Sequence, residues 1–189
     1  MLSSLANKVS ESLIAVIEGT GDVVASARDT AKKTIVDTVK ETGDVATSSM
    51  GVIADVVTGG SAAASKSAKS TTDGVAGVVE GAIDAAKEVG ANTGGAIEEA
   101  AEGAIKGVSA VGGDLGEAAV GAVKGTIAAA SYIGTDATEA TTKAVVGVLK
   151  AADEIGSEAG GLVRKALLST AALPREIIQA AIGTSEKQS

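Results

Sequence analysis

Glycine recurs every few residues inside stretches that otherwise follow the pattern of amphipathic helices, as in GAIKGVSAVGGDLGEAAVGAVKG at residues 103–125. Each glycine in a helix interior costs about 1 kcal/mol relative to alanine. The same residue can end a helix in the left-handed conformation, and it lets two backbones approach closely. A chain that repeats glycine in this way therefore uses it for helix ends, for close packing, or for both.

The apolar residues of the chain are mostly alanine and valine. Among 189 residues there are 25 glycines, no phenylalanine, no tryptophan and a single aromatic side chain, Tyr132. Aromatic side chains bury the largest areas in most cores. This chain therefore has to rely on close backbone approach, on self-association or on an apolar surface outside it. Its mean hydropathy of +0.30 argues against a fully solvated disordered polymer.

Charge and missing residue types exclude several functions. The net charge of −8 disfavours nucleic acid as a partner, because phosphate binding needs concentrated lysine and arginine. The absence of cysteine and histidine removes thiol nucleophiles, the usual zinc ligands and the commonest acid–base residue. We therefore expect no catalytic residue, no metal and no cofactor. The first residues lack the pattern of a signal peptide, and no run of about 18 apolar residues predicts a membrane-spanning helix.

The periodicity predicts an all-α chain of several amphipathic helices broken at glycines, with 11-residue (hendecad) periodicity, extended or loosely bundled. Four regions are expected. Residues 1–57 form N-terminal amphipathic helices, and residues 58–74 form a linker of small and polar side chains. Residues 75–164 form a Gly/Ala-rich helical region, and residues 165–189 form a C-terminal amphipathic helix with a frayed tail.

The helices at the two ends carry the leucine and isoleucine side chains best suited to contact an apolar surface. In the first helix these side chains recur at helical spacing, and in the last they follow Pro174, which is typical of a first helical turn. The candidates for contact with lipid are Leu2, Leu5, Val9, Leu13, Val16, Ile17, Ile177 and Ile178. Without tryptophan or phenylalanine, such binding is expected to be shallow and reversible.

The glycine-rich region contains an internal repeat. Residues 77–120 align with residues 121–164 without a gap and share 13 identical positions. The offset of 44 is four elevens, and a shorter echo at an offset of 22 relates Thr20–Val23 to Thr42–Val45. A period of 11 residues is about 3.67 residues per turn, which keeps an apolar stripe on one side of a helix.

Six pairs of glycines follow the GxxxG pattern. One hypothesis is close helix–helix contact; the alternative is that several glycines end helices or lie in turns, and some pairs arise by chance in so glycine-rich a chain. DATE at residues 136–139 predicts a capping box that begins a helix. The candidates for helix packing, which lie near the middle of the apolar stripe, are Gly90, Gly94, Gly103, Gly107, Gly112 and Gly116.

Carboxylates also cluster in the second half of the chain. The two clusters are Glu98, Glu99 and Glu102, and Asp153, Glu154 and Glu158. Such groups can bind a cation or act in acid–base catalysis, but without histidine beside them a solvated helix face is favoured. The run GVSAVGGDLG lacks the Lys-Ser/Thr of a phosphate-binding loop and a preceding strand.

Stretches such as GAVKGTIAAA and ARDTAKKTIVDTVKETGDVA, with their 11-residue spacing, resemble the lipid-binding repeats of synucleins and the group 3 late-embryogenesis-abundant proteins. The resemblance covers roughly residues 20–57 and 77–164. A likeness to synucleins implies helices induced on curved anionic membranes. A likeness to the desiccation proteins implies a disordered chain that folds on drying.

These observations lead to one expected function and one alternative. The first is a non-enzymatic structural protein, cytoplasmic and peripheral, that associates reversibly with a membrane, lipid body or granule through its Ala/Val/Ile stripe. The alternative is that the stripe is satisfied by self-association, in a helical assembly or a stress-protective protein.

Overall fold

The computed structural model describes residues 3–19, 21–42, 45–67 and 69–188, and within them the chain is helical without strands. The predicted all-α fold is therefore confirmed. The helices are α1 (Ser4–Gly19), α2 (Val23–Thr42), α3 (Val45–Lys66), α4 (Thr71–Glu88), α5 (Thr93–Ala110), α6 (Leu115–Ile133), α7 (Ala137–Ile155), α8 (Ser157–Ser169) and α9 (Arg175–Gln188).

The helices pack in two rows. The even-numbered helices α2, α4, α6 and α8 contact one another in that order and form the even row. The odd-numbered helices α1, α3, α5, α7 and α9 do the same and form the odd row. Helices that follow each other in the chain lie in opposite rows and also pack together. Each helix thus meets its chain neighbours and the helices two positions away, which is the nearest-neighbour packing of a helical solenoid.

Four helices begin at polar residues that recur with a constant spacing. Ser70, Asn92, Asp114 and Asp136 each accept a hydrogen bond from the backbone N–H three residues later, at 2.7–3.1 Å. Such a bond satisfies an amide at the helix N-terminus that has no partner within the helix. Asp136 is the residue that the sequence predicts as a cap.

The turns before α5, α6 and α7 contain glycines with the same spacing. Gly90, Gly112 and Gly134 have φ of 75°, 70° and 78°, and Gly156, at the junction of α7 and α8, has φ of 155°. A side chain is strained in this region of backbone space. Helix and turn therefore form one unit that recurs from Ser70 onward.

The structure differs from the predicted linker at residues 58–74. Residues 58–66 are the last turns of α3, and Gly59 to Ala64 are buried. The small side chains of this stretch let two helices close on α3. A methyl group added at Gly60 would lie 2.8 Å from Cγ1 of Val78 in α4, and one added at Gly59 would overlap the carbonyl oxygen of Ala6 in α1. The lack of large side chains indicates tight packing here, not a linker.

The C-terminal region also differs from its predicted boundaries. Residue 164 lies inside α8, and α9 continues to Gln188, through most of the tail that was predicted to fray. Three residues of the predicted echo, Thr20, Gly43 and Asp44, lie outside the described residues.

The core is built from alanine, valine and isoleucine along the whole array. Two threonines are buried in it, and each donates its hydroxyl to the carbonyl group four residues earlier: Thr126 to Ala122 at 2.9 Å and Thr141 to Ala137 at 2.6 Å. These bonds remove most of the cost of burying a hydroxyl. The Ala/Val/Ile stripe is thus covered by other helices of the same chain.

Candidate functional site: glycine contacts between helices

Three glycine pairs lie where helices of the same row meet. In α6, a methyl group added at Gly121 would lie 2.5 Å from the carbonyl oxygen of Thr72, and one added at Gly125 would overlap the carbonyl of Ala76. Both carbonyls belong to α4. No real Cβ atom approaches an oxygen this closely, so α6 could not rest on α4 in this way with alanine at these positions.

The other two pairs repeat this arrangement, with a looser approach at Gly103, where an added methyl group would lie 3.2 Å from the carbonyl oxygen of Ala54. The pairs, each with the carbonyl groups that it faces, are Gly77 and Gly81 of α4 with Val24 and Arg28 of α2, and Gly103 and Gly107 of α5 with Ala54 and Thr58 of α3. In all three, the glycines and the carbonyls are each four residues apart, about one helical turn. We call these three pairs the glycine contacts.

The glycine contacts place a hydrogen where a side chain would begin. That Cα–H points at the carbonyl oxygen, and a bond of this kind contributes about 0.5–1 kcal/mol. The larger effect is steric, because the helices approach closely along a full turn and the neighbouring alanines and valines make contact. Packing thus explains these glycines in helix interiors.

The glycine contacts fix how each helix is offset along its neighbour. The difference in residue number between Gly125 and Ala76, whose carbonyl it faces, is 49. The same difference holds for Gly107 and for Gly147, where an added Cβ would lie 3.1 Å from the carbonyl oxygen of Glu98. For Gly81 and Gly59 the difference is 53. For the even-numbered helices this difference reflects a longer unit and not a shift, because the caps Asp22 and Ser70 are 48 residues apart whereas Ser70 and Asp114 are 44 apart. In both contacts the glycine lies 11 residues after the cap of its own helix, and the carbonyl that it faces lies 6 residues after the cap of the other.

The remaining candidate glycines do not face a carbonyl group of a neighbouring helix. Gly90 and Gly112 lie in turns at positive φ, and a methyl group added there would meet nothing within 4 Å, so close packing does not explain them. Gly94 lies in the first turn of α5 beside the side chains of Lys143 and Asn92. An added methyl group at Gly116 would lie 2.9 Å from Cβ of Ala166 in α8, a contact with a side chain and not with a carbonyl.

A row of ion pairs runs beside the contact between α2 and α4. Lys32 lies 3.0 Å from Asp84 and 3.1 Å from Glu88, and Arg28 lies 3.5 Å from Glu80. The pKa of Lys32 is raised, chiefly by its hydrogen bond to Asp84 and then by that to Glu88, against burial. The acidic residues recur every four positions on α4, so this row reinforces the register set by the glycines.

A second row of ion pairs joins α5 to α7. Glu102 accepts hydrogen bonds from Lys150 at 2.7 Å and from Lys106 at 3.1 Å, and Lys143 lies 3.4 Å from Glu98. Burial raises the pKa of Glu102, but the two lysines outweigh it, so that the pKa is lowered from its usual 4.5. The carboxylates at 98 and 102 therefore face lysines, in keeping with a surface role.

The three carboxylates of the second cluster also have separate surroundings. Asp153 receives two hydrogen bonds from Arg164, both at 2.9 Å. Glu154 lies 4.0 Å from Lys106, and Glu158 is exposed on α8. Among the described residues no group of acidic side chains is arranged to hold a metal ion.

The single aromatic residue connects three helices of the even row. The hydroxyl of Tyr132 in α6 donates to Oε1 of Glu80 in α4 at 3.1 Å, and the guanidinium of Arg28 in α2 lies 5.6 Å from the centre of the ring. Burial raises the pKa of the Tyr132 hydroxyl, and the charge of Glu80 raises it further. Sequence reasoning missed this cluster, because its members are far apart in the chain and no motif relates them.

The predicted lipid-contact residues are largely covered by the fold. Four of them are buried: Val9, Leu13, Ile17 and Ile178. Leu5, Val16 and Ile177 are half-buried, and Leu2 lies outside the described residues. In this structure the apolar side of α1 packs on α3, so a stripe expected to meet an external surface meets another helix of the chain.

The described helices form two rows of nearest neighbours, and caps and turn glycines recur every 22 residues between Ser70 and Gly156. No protein family matches the sequence, and no curated protein matches it. None of the helices in the described part of the chain is both long and apolar enough to cross a membrane.

Proposed function

We propose that this chain is a non-enzymatic structural protein, a helical scaffold whose Ala/Val/Ile stripe is satisfied within the chain. The glycine contacts carry the proposal. Each depends on two positions without a side chain, and together they join α2, α4 and α6, and α3 and α5, in fixed register. Such an array supplies length and rigidity.

The 11-residue periodicity belongs to the same proposal. Caps and turn glycines recur at an offset of 22, which is two elevens, and two such offsets make the 44 of the internal repeat. An apolar stripe of this period stays on one side of a straight helix. We infer that the period keeps straight helices packed in rows and that the turn glycines break them at equal lengths.

Circular dichroism with and without lipid vesicles tests the scaffold. We expect full helicity in dilute buffer, unchanged by phosphatidylcholine vesicles, and cooperative unfolding in urea. A chain that is disordered in buffer and becomes helical on vesicles would contradict the scaffold and support a surface-induced helix.

Reversible association with a lipid surface is the second candidate function, and α1 supports it. This helix is at the end of the odd row, packs chiefly on α3, and contacts α2 less extensively. Between α1 and α2 lies a groove of about 280 Å³ whose walls include Leu5, Val9 and Thr34. Release of α1 would expose Leu13 and Ile17, and so give an amphipathic helix suited to a bilayer interface.

A matched pair of substitutions in α3 tests this candidate. Gly59→Ala would place a methyl group against the carbonyl of Ala6 and weaken the docking of α1, whereas Gly51→Ala would meet nothing within 4 Å. We expect Gly59→Ala to increase co-sedimentation with phosphatidylcholine vesicles and Gly51→Ala to leave it unchanged. Equal binding by both variants would argue against release of α1.

A further inference from the structure

The even row ends at α8, whose outer face lacks a partner within the described chain. On the inner side Ala159, Val163 and Leu167 are buried against the array. The outer face consists of Glu158, Gly161, Leu162, Lys165 and Ser169, which are all exposed. On one side it borders a groove of about 420 Å³, where Leu162, Lys165 and Ser169 lie opposite residues 113–116 at the start of α6. Leu162 is 55% exposed, the largest exposure of any large hydrophobic side chain in the part of the chain that the structure describes.

The residue before this leucine, Gly161, carries no side chain. A methyl group added at Gly161 would meet nothing within 4 Å, so the backbone there is open to an approaching side chain. The outer face therefore presents a protruding Leu162 next to a position without a side chain. A leucine from outside could occupy the space above Gly161 and be covered in turn.

The charges of the outer face are arranged symmetrically about these two residues. Glu158 and Lys165 are seven residues apart, about two turns, and so lie on the same side of α8. Neither forms an ion pair with the described residues of the chain. The midpoint between 158 and 165 is also the midpoint between Gly161 and Leu162, so the face carries opposite charges at equal distances from its centre.

We propose that the outer face of α8 binds α8 of a second copy of this chain, with the two helices antiparallel. A twofold axis between Gly161 and Leu162 places each leucine above the glycine of the second copy. It also places Glu158 of each copy opposite Lys165 of the other, whereas a parallel pair would oppose like charges. This inference rests on the proposed scaffold, since it requires a folded array that exposes α8.

Sedimentation equilibrium of the full chain tests the pairing. Because one helix face is a small interface, we expect a weak dimer that forms at about 100 µM and above. Lys165→Glu should raise the dissociation constant at least tenfold, because it places two carboxylates opposite each other, and Glu158→Lys should do the same by opposing two ammonium groups. The double variant Glu158→Lys/Lys165→Glu should restore the wild-type dimer, since both pairs are re-formed with reversed sign.

Substitutions of two exposed apolar residues by glutamate provide the matched control. Leu162→Glu should abolish the dimer, whereas Ile155→Glu, at a similarly exposed position at the end of α7, should leave it intact. Circular dichroism of each variant shows whether the array is folded. A wild-type protein without helicity would contradict the scaffold itself.

Three results would overturn the dimer while leaving the scaffold in place. The first is a folded monomer at all concentrations, and the second is a dimer that is unaffected by Leu162→Glu. The third is a monomer that binds phosphatidylcholine vesicles through Leu162, which would assign the outer face to a lipid surface.

Discussion

The contact between α4 and α6 differs from the contact between α6 and α8. In the first, Gly121 and Gly125 lie against two carbonyl groups of α4. In the second, no such pair is present among the described residues, and Gly116 faces the methyl group of Ala166. Grooves of about 310 Å³ and 420 Å³ flank this second contact, and α8 packs on α6 less extensively than α6 packs on α4.

The two contacts show what a glycine pair contributes in a chain that has a single aromatic side chain. Where two glycines meet two carbonyls, the helices touch along a full turn and their small side chains fill the interface. Where the contact is with a single methyl group, grooves remain beside the helices. The even-numbered helices are therefore held by backbone approach from α2 to α6 and are more open between α6 and α8, although a groove of about 380 Å³ also borders the contact between α2 and α4.

Gly125 is the position where substitution should weaken the array most. Gly125→Ala forces α6 away from α4, because a backbone carbonyl cannot move aside. We expect a loss of about 2–3 kcal/mol in the free energy of unfolding, as for other overpacked interiors. Urea denaturation followed by circular dichroism measures it.

Two control substitutions show whether the loss is steric. Gly51→Ala, in the interior of α3 with open space around it, should stabilise the protein by up to about 1 kcal/mol through helix propensity. A methyl group at Gly116 would lie 2.9 Å from Cβ of Ala166 and 3.1 Å from Oδ1 of Asp114, and neither atom is a backbone carbonyl. Gly116→Ala should therefore cost less than Gly125→Ala, about 1 kcal/mol. If Gly125→Ala behaves like Gly51→Ala, close approach does not hold α6 on α4.

Substitution of the turn glycines should change stability through backbone conformation and not through steric contact. Gly112→Ala costs about 1–2 kcal/mol because φ is positive, although there is space for the methyl group. Gly112→Asn should cost less, since asparagine tolerates the left-handed conformation. Urea denaturation of both variants measures the difference. Equal losses for alanine and asparagine would mean that backbone conformation is not the cause.

Tyr132 adds a polar link between α4 and α6. Tyr132→Phe removes the hydroxyl that donates to buried Glu80, and we expect a loss of about 1 kcal/mol in the free energy of unfolding. In the native protein, ultraviolet titration should place the tyrosine pKa above its usual 10.0. A tyrosine that titrates normally would show that the cluster does not form in solution.

Substitution of Glu102 should lower the free energy of unfolding less than substitution of Gly125, Gly112 or Tyr132. The pKa of Glu102 is lowered on folding from 4.5, so its contribution to stability is present above that pH and is lost as the pH falls through the folded pKa. At neutral pH, Glu102→Gln should cost about 0.5–1 kcal/mol in urea denaturation. The difference from wild type should disappear in acid, whereas Glu11→Gln, at an exposed position of α1, should have little effect at either pH.

Local signals in the sequence predicted part of this structure. Apolar periodicity gave the helical class, and the repeat offset of 44 matched α4 with α6 and α5 with α7. The two roles of glycine were both expected, but their assignment was not, because Gly103 and Gly112 have similar neighbours and differ only in which helix lies opposite. Residues 58–66 were misassigned because small side chains are found both in linkers and in close contacts.

Two features depended on long-range packing. The burial of Leu13 and Ile17 follows from the place of α1 on α3, which periodicity does not encode. The cluster around Tyr132 joins three helices without a motif. The repeat length of 44 was the one signal that could have indicated a two-row array, since helical solenoids have repeats of this size.

Hydrogen–deuterium exchange along the native chain would show whether α4 to α7 are separate, closely packed helices in solution, on which the whole interpretation depends. We predict strong protection within each helix and fast exchange at the turns around residues 90–92, 112–114 and 134–136. Uniformly fast exchange over residues 71–155, or unbroken protection through those turns, would contradict it.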